Sequence, residues 1–142
     1  MLYVDTSALL PFYRKESASE TVEVLFLSHE QHLLISELVR VEFASALSRW
    51  VRMGELTEPQ AYRAESAFHE DVSESRYRLA RPNAKMFERA MHWLLTRRTS
   101  LNTLDALHLA CAEASEAVLL TQDEALLDAA NFFGIAARSV HQ

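Results

Sequence analysis

Short apolar runs alternate with helical stripes along nearly the whole chain. Leu2-Tyr3-Val4 is a β-prone run that stops at Asp5-Thr6-Ser7, residues that end strands and cap helices. Ala8 to Arg14 reads as a brief helix broken by Pro11, and Ser19 to Ser28 sets Val22, Leu25 and Phe26 at helical spacing. His32 to Ile35 is a second compact apolar run, followed by Ser36 as N-cap and Glu37 in a first helical turn. On that helix Val39, Phe43, Ala46, Leu47 and Trp50 share a face, and it should end near Met53 because Gly54 suits a left-handed terminator. Thr57 and Gln60 form a capping box for a helix through Tyr62, Phe68 and Val72. Tyr77 to Leu79 is a weaker strand, and Pro82-Asn83 opens a helix striped by Met86, Phe87, Ala90, Trp93 and Leu94. Asn102 or Thr103 caps Leu104 to Ala114, and Ala117 to Leu120 is a buried-type strand. Asp123 to Phe133 is the last long helix, Gly134 ends it, and Ile135 to Val140 gives a closing strand.

Strands recurring between helices predict βαβ units. The expected fold is α/β, a three-layer α/β/α arrangement around a parallel sheet of four to five strands, with residues 1–142 as one domain. A chain of 142 residues, 49% hydrophobic and 24% charged, can build a core without a metal or disulfide staple, so any metal would be there for chemistry. The single Cys111 excludes an internal disulfide framework and a CxxC site, and fits a reducing compartment. The longest uncharged run, Ala129 to Ala137, is far short of a bilayer span, so a cytoplasmic protein without a membrane partner is expected. Two glycines and three prolines exclude collagen-like, linker-rich and glycine-rich phosphate-loop designs.

Charge changes the picture. The net charge of −6 argues against a polyanionic partner. Yet Arg76, Arg78, Arg81, Lys85, Arg89, Arg97 and Arg98 fall in one stretch with Glu88 as its single acid. Segregation of this kind lets a local field attract phosphates despite the average, although a solvated helix face explains the same run. Lys85, Arg89 and His92 lie on one face of the predicted helix, with Arg76, Arg78 and Arg81 nearby as contacts for a nucleic-acid backbone or a protein partner.

Four acids define the candidate chemistry. Asp5 and Asp123 each follow a strand directly, Glu42 sits on the shoulder of an apolar stripe, and Asp105 lies in the first turn of its helix. Taken singly each has an ordinary structural explanation as a cap, a dipole partner or a surface acid. Taken together, the topology carries all four toward the carboxyl ends of the strands, where open parallel sheets collect ligands. Carboxylates crowded there stay ionised only around a cation, and an all-oxygen donor set suits Mg²⁺ or Mn²⁺ rather than zinc. Other polar residues have plainer roles. His108 is expected to be a packing histidine whose polar atoms are met locally, Glu37 a dipole partner, Asp128 a solvated acid, and Trp50, Trp93 and Tyr62 core or interface anchors.

Four segments, in order, resemble the PIN-domain ribonucleases, most of all the VapC toxins of type II toxin–antitoxin modules. They are Asp5-Thr6-Ser7-Ala8-Leu9-Leu10, Ser36 to Phe43, Leu104 to Ala110, and Leu120-Thr121-Gln122-Asp123. The resemblance spans essentially the whole chain and implies a parallel-sheet α/β/α fold. It also implies a Mg²⁺- or Mn²⁺-dependent endoribonuclease, a homodimer, and a cognate VapB-like antitoxin whose C-terminal segment blocks the site. By position, Asp5, Glu42, Asp105 and Asp123 become the metal-binding and catalytic quartet, with Thr6 and Thr121 as auxiliary polar groups. Hydrolysis by an activated water would leave 5′-phosphate and 3′-hydroxyl ends. Three rivals remain. A catalytically silent RNA- or partner-binding module would keep the fold without cutting. A phosphoacceptor receiver domain wants a late lysine, whereas the lysines here are Lys15 and Lys85; a haloacid-dehalogenase-type phosphatase wants an acid where Ser7 stands.

Overall fold

The central strands are buried on both faces, and their side chains alternate between two cores. The computed structural model describes residues 1–28, 30 and 32–141. Its strands are β1 (Leu2–Val4), β2 (Leu33–Ser36), β3 (Tyr77–Ala80), β4 (Val118–Thr121) and β5 (Ala137–Ser139). They form a five-stranded sheet in the order β3-β2-β1-β4-β5, with every pairing parallel. Leu2, Val4, Leu33, Ile35 and Leu120 face one cluster, while Tyr3, Leu34 and Leu119 face the other. Period-two alternation with apolar residues on both sides is what a central parallel sheet requires, and it explains why the sequence shows short continuous runs instead of apolar–polar alternation.

Seven helices lie among the described residues: α1 (Thr6–Tyr13), α2 (Ser19–Leu27), α3 (Glu37–Arg52), α4 (Glu58–Ser73), α5 (Ala84–Thr96), α6 (Thr103–Ala114) and α7 (Glu124–Phe132). The first four supply Leu9, Val22, Phe43 and Phe68 to one core; the last three supply Trp93, Leu109 and Leu126 to the other. The expected three layers are therefore present, with the fifth strand included. No described helix is long and apolar enough to cross a membrane.

Local signals explain most helix ends. Thr57 and Gln60 make the expected capping box, Asn102 caps α6, and Gly54 takes φ 75° after α3, where only a residue without Cβ is unstrained. Two local readings need correction. Pro11 lies inside α1 without ending it. The Ser7 carbonyl that loses its helical N–H partner to the proline instead accepts from Gln122 Nε2 at 2.7 Å. Ser36 occupies the N-cap position of α3, but its hydroxyl makes no cap bond and meets the Tyr3 hydroxyl at 2.8 Å.

Aromatic expectations divide. Trp93 is buried, and Trp50 is half-buried beneath the Arg14 guanidinium. Tyr62 and Phe87 are exposed, because the apolar stripe of each helix is narrower than the sequence suggested: α5 buries only Met86, Ala90 and Trp93.

Candidate functional site

The strand order fixes where a ligand can sit. From β1 the chain moves outward through β2 and β3, then crosses back to place β4 and β5 on the other side of β1. The crevice between the carboxyl ends of β1 and β4 is therefore a topological switch point, the usual ligand position in an open α/β sheet. Asp5 follows β1 directly, and Thr121 ends β4 two residues before Asp123.

Asp5 is buried and tied across this crevice. One oxygen, Oδ1, accepts from the Ala8 N–H at 2.9 Å, capping α1, and from the Ser7 hydroxyl at 2.7 Å. Oδ2 accepts from the Thr121 hydroxyl, whose oxygen in turn accepts the Asp123 N–H at 2.9 Å. Burial pushes the Asp5 carboxyl above its ordinary value, against the pull of Thr121, His108, Ser7 and the Ala8 N–H. Asp123 caps α7 by accepting the Leu126 N–H at 3.2 Å. The ordinary capping reading of these two acids is thus correct, and it leaves room for a second role.

Glu42 and Asp105 reach the same edge from α3 and α6. Glu42 Oε1 accepts from the Thr6 hydroxyl at 2.8 Å and from His108 Nε2. Burial raises the Glu42 carboxyl, but the His108 hydrogen bond and charge, with Thr6, outweigh it and leave Glu42 below its ordinary value. Asp105 has no side-chain hydrogen bond or ion pair among the described residues. Burial, followed by the charges of Asp123, Asp5 and Glu42, pushes its carboxyl up to about 6, with His108 opposing. Acids spread over more than a hundred positions of sequence therefore lie close enough for Asp5, Glu42 and Asp123 to act on Asp105.

Among the described residues, no three carboxylate, imidazole or thiol groups are drawn together tightly enough to enclose an ion. Asp5 and Glu42 turn oxygens toward hydroxyls, an N–H and an imidazole. Among the described residues, oxygens of Glu42, Asp105 and Asp123 stay uncommitted at the edge. An all-oxygen donor set of this kind fits a hard divalent cation.

Sequence reasoning passed over part of this constellation. Ser7 links Asp5 to the Gln122 N–H, which it accepts at 2.9 Å, and lies 3.3 Å from the Thr121 hydroxyl. His108 is buried with its polar atoms satisfied, as expected, but one partner is Glu42, so its role is not packing alone. Glu37 pairs with Arg40, and Asp128 is exposed, both as expected.

The basic stretch does not form one surface. Arg76 precedes β3 at the opposite end of the sheet from the acids. Its Nε lies 3.2 Å from Asp71, close enough for an ion pair though not aligned for a hydrogen bond, and its guanidinium stands over Phe12. Arg89 grips Glu113 through two bonds of 2.9 and 3.2 Å and stacks on Trp93. Arg78 sits midway along edge strand β3, and His92 is exposed farther along α5. Arg81, just past β3, and Lys85, in the first turn of α5, are exposed at the carboxyl edge without an ion-pair partner among the described residues.

A family model, the PIN domain, matches residues 2–131. The chain belongs to the PIN domain family. Solved PIN-fold neighbours cover it almost end to end. A VapBC2 complex from Rickettsia felis bound to a promoter DNA fragment aligns at TM-score 0.70 with 17% identity, covering 98% of each chain. The sarcin–ricin-loop-cleaving toxin VapC20 of Mycobacterium tuberculosis aligns at 0.69 with 17% identity, covering 91% of this chain and 95% of its own. FitAcB from Neisseria gonorrhoeae aligns at 0.70 with 16% identity, covering 100% and 99%. At such identities the likeness is one of fold. Among curated proteins no sequence match is found.

Proposed function

We propose that this PIN-domain chain is a divalent-metal-dependent endoribonuclease and the toxin of a toxin–antitoxin pair. The observation that carries the reading is the placement of Asp5, Glu42, Asp105 and Asp123 at one switch-point edge, close enough that three of them raise the fourth. Asp5, Glu42, Asp105 and Asp123 would hold Mg²⁺ or Mn²⁺. Such an ion, when bound, supplies charge neutralisation at a phosphoryl group and acidifies water. The chain's own residues do the rest. Thr121 and Ser7 fix Asp5, Thr6 fixes Glu42, and Asp105, raised and without a side-chain partner among the described residues, is the acid most ready to accept a new positive neighbour. Arg81 and Lys85 flank the same edge and would meet backbone phosphates.

The neighbours support the biological half of the reading. One cleaves the sarcin–ricin loop, and others are VapBC and FitAcB assemblies. A VapB-like antitoxin and a second copy of the chain are accordingly the expected protein partners.

Purified protein incubated with tRNA, rRNA and mRNA fragments in Mn²⁺, in Mg²⁺ and in chelator tests the chemistry. The expected result is endonucleolytic cleavage in either metal, abolished by chelator, leaving 5′-phosphate ends. Binding of RNA without cutting in any metal would replace the nuclease with a silent binding module. Growth arrest on expression, relieved by a small neighbouring protein, tests the toxin role.

A further inference from the structure

Glu42 is gripped by one oxygen only. Oε1 accepts from both the Thr6 hydroxyl and His108 Nε2, while Oε2 has no hydrogen-bond partner among the described residues. A carboxylate can only accept, so Nε2 carries a hydrogen whatever the charge of the ring. Behind it, Nδ1 meets the Tyr3 hydroxyl at 2.8 Å, and Tyr3 meets Ser36 Oγ at 2.8 Å. Tyr3 and Ser36 are 0% exposed and His108 is 2% exposed. The four side chains come from β1, β2, α3 and α6, so the row ties both sheet strands to the two helices that bear Glu42 and Asp105.

Packing alone does not call for this arrangement. An apolar side chain at 108 would fill the same buried space, but it would leave the Tyr3 hydroxyl short of a partner and Glu42 free to turn. A glutamate has three rotatable side-chain torsions, and a donor fixed by buried groups removes that freedom before any ligand arrives.

We propose that His108, braced by Tyr3 and Ser36, is a positioning residue that locks Glu42 through Oε1 and reserves Oε2 for a divalent cation. The inference rests on the nuclease reading above and adds a group that touches neither cation nor substrate. Partners that orient a ligand in this way commonly change metal affinity by about 10–100-fold.

Calorimetric titration of the metal-free protein with Mn²⁺, alongside kcat and KM for RNA cleavage, tests it in three variants. His108→Leu removes the donor, His108→Gln places an amide N–H near the position of Nε2, and Tyr3→Phe removes only the brace. In His108→Leu, Mn²⁺ binding should weaken about 10–100-fold, and kcat should fall while KM for RNA stays within about twofold. His108→Gln should recover most of the affinity, and Tyr3→Phe should fall between the parent and His108→Leu. Parental Mn²⁺ affinity in His108→Leu, or equal losses in His108→Leu and His108→Gln, would overturn the proposal. Should His108→Leu fail to fold, Tyr3→Phe decides, because it removes one hydroxyl and keeps the ring: unchanged Mn²⁺ affinity overturns the proposal. A parent that neither binds Mn²⁺ nor cuts RNA defeats the nuclease reading itself, whereas a parent that does both beside indifferent variants defeats only the role of His108.

Discussion

Replacing Asp105 with Asn should make the metal-free protein more stable and the metal-bound protein less so. The carboxyl is carried from its ordinary 3.8 to about 6 by burial and by the charges of Asp123, Asp5 and Glu42. A carboxyl whose folded value is raised binds its proton more tightly in the folded state. It therefore costs nothing below about pH 4, costs progressively more as pH rises toward 6, and costs its full amount at neutral pH. At about 1.4 kcal/mol per tenfold, the upper bound is about 3 kcal/mol. Asp105 is only half-buried, and solvent screening brings this to about 1–2 kcal/mol. Asn keeps the shape and removes the charge. In chelator at pH 7.5, Asp105→Asn should raise Tm by about 3–8 °C, and the gain should vanish near pH 4. Added Mn²⁺ should stabilise the parent by mass action and the variant much less. An Asn variant no more stable than the parent in chelator, or equally stabilised by Mn²⁺, would refute the claim that these acids share one field.

Other outcomes follow from single contacts. Thr121→Val removes the donor to buried Asp5 and the acceptor for the Asp123 N–H, and should cost about 2–4 kcal/mol in urea denaturation; a loss under about 0.5 kcal/mol would show the bonds to be dispensable. An Arg81/Lys85 double Ala variant should lower the salt slope of single-stranded RNA binding by about 1.4, whereas Arg89→Ala, already committed to Glu113, should leave it unchanged. Equal effects from the two would mean the exposed pair has no special place. Gly54→Ala meets no neighbouring atom but must hold φ 75°, so it should cost about 1 kcal/mol with activity unaltered, as thermal melts and cleavage assays can read.

What the sequence disclosed and what it concealed divide along the range of the interactions. Leu2 to Val4 and Ala117 to Leu120 were recognisable because strands buried on both faces need unbroken apolar runs, and Thr57 with Gln60 because a capping box is complete within four residues. The four acids could be grouped because each stands at a fixed offset from a strand or helix start. The His108–Glu42 bond was not visible: its partners lie 66 positions apart, and the spacing of His108 fits an ordinary buried stripe. Pro11 looked like a helix breaker because its remedy, Gln122, comes from the far side of the switch point. The basic stretch misled because edge strand β3 runs between Arg76 and Arg81 and carries them to opposite ends of the sheet.

Asp5 and Asp123 each start a helix with the same carboxyl group that stands at the crevice. Folding and the proposed chemistry thus draw on shared atoms, and mutational scans of this protein will confound the two. A substitution to Ala or Lys at either position alters the crevice and frays the start of α1 or α7 at once, so a loss of folded protein would be mistaken for a loss of activity. Asn, which caps as well as Asp but bears no charge, keeps the helix start while it removes the charge.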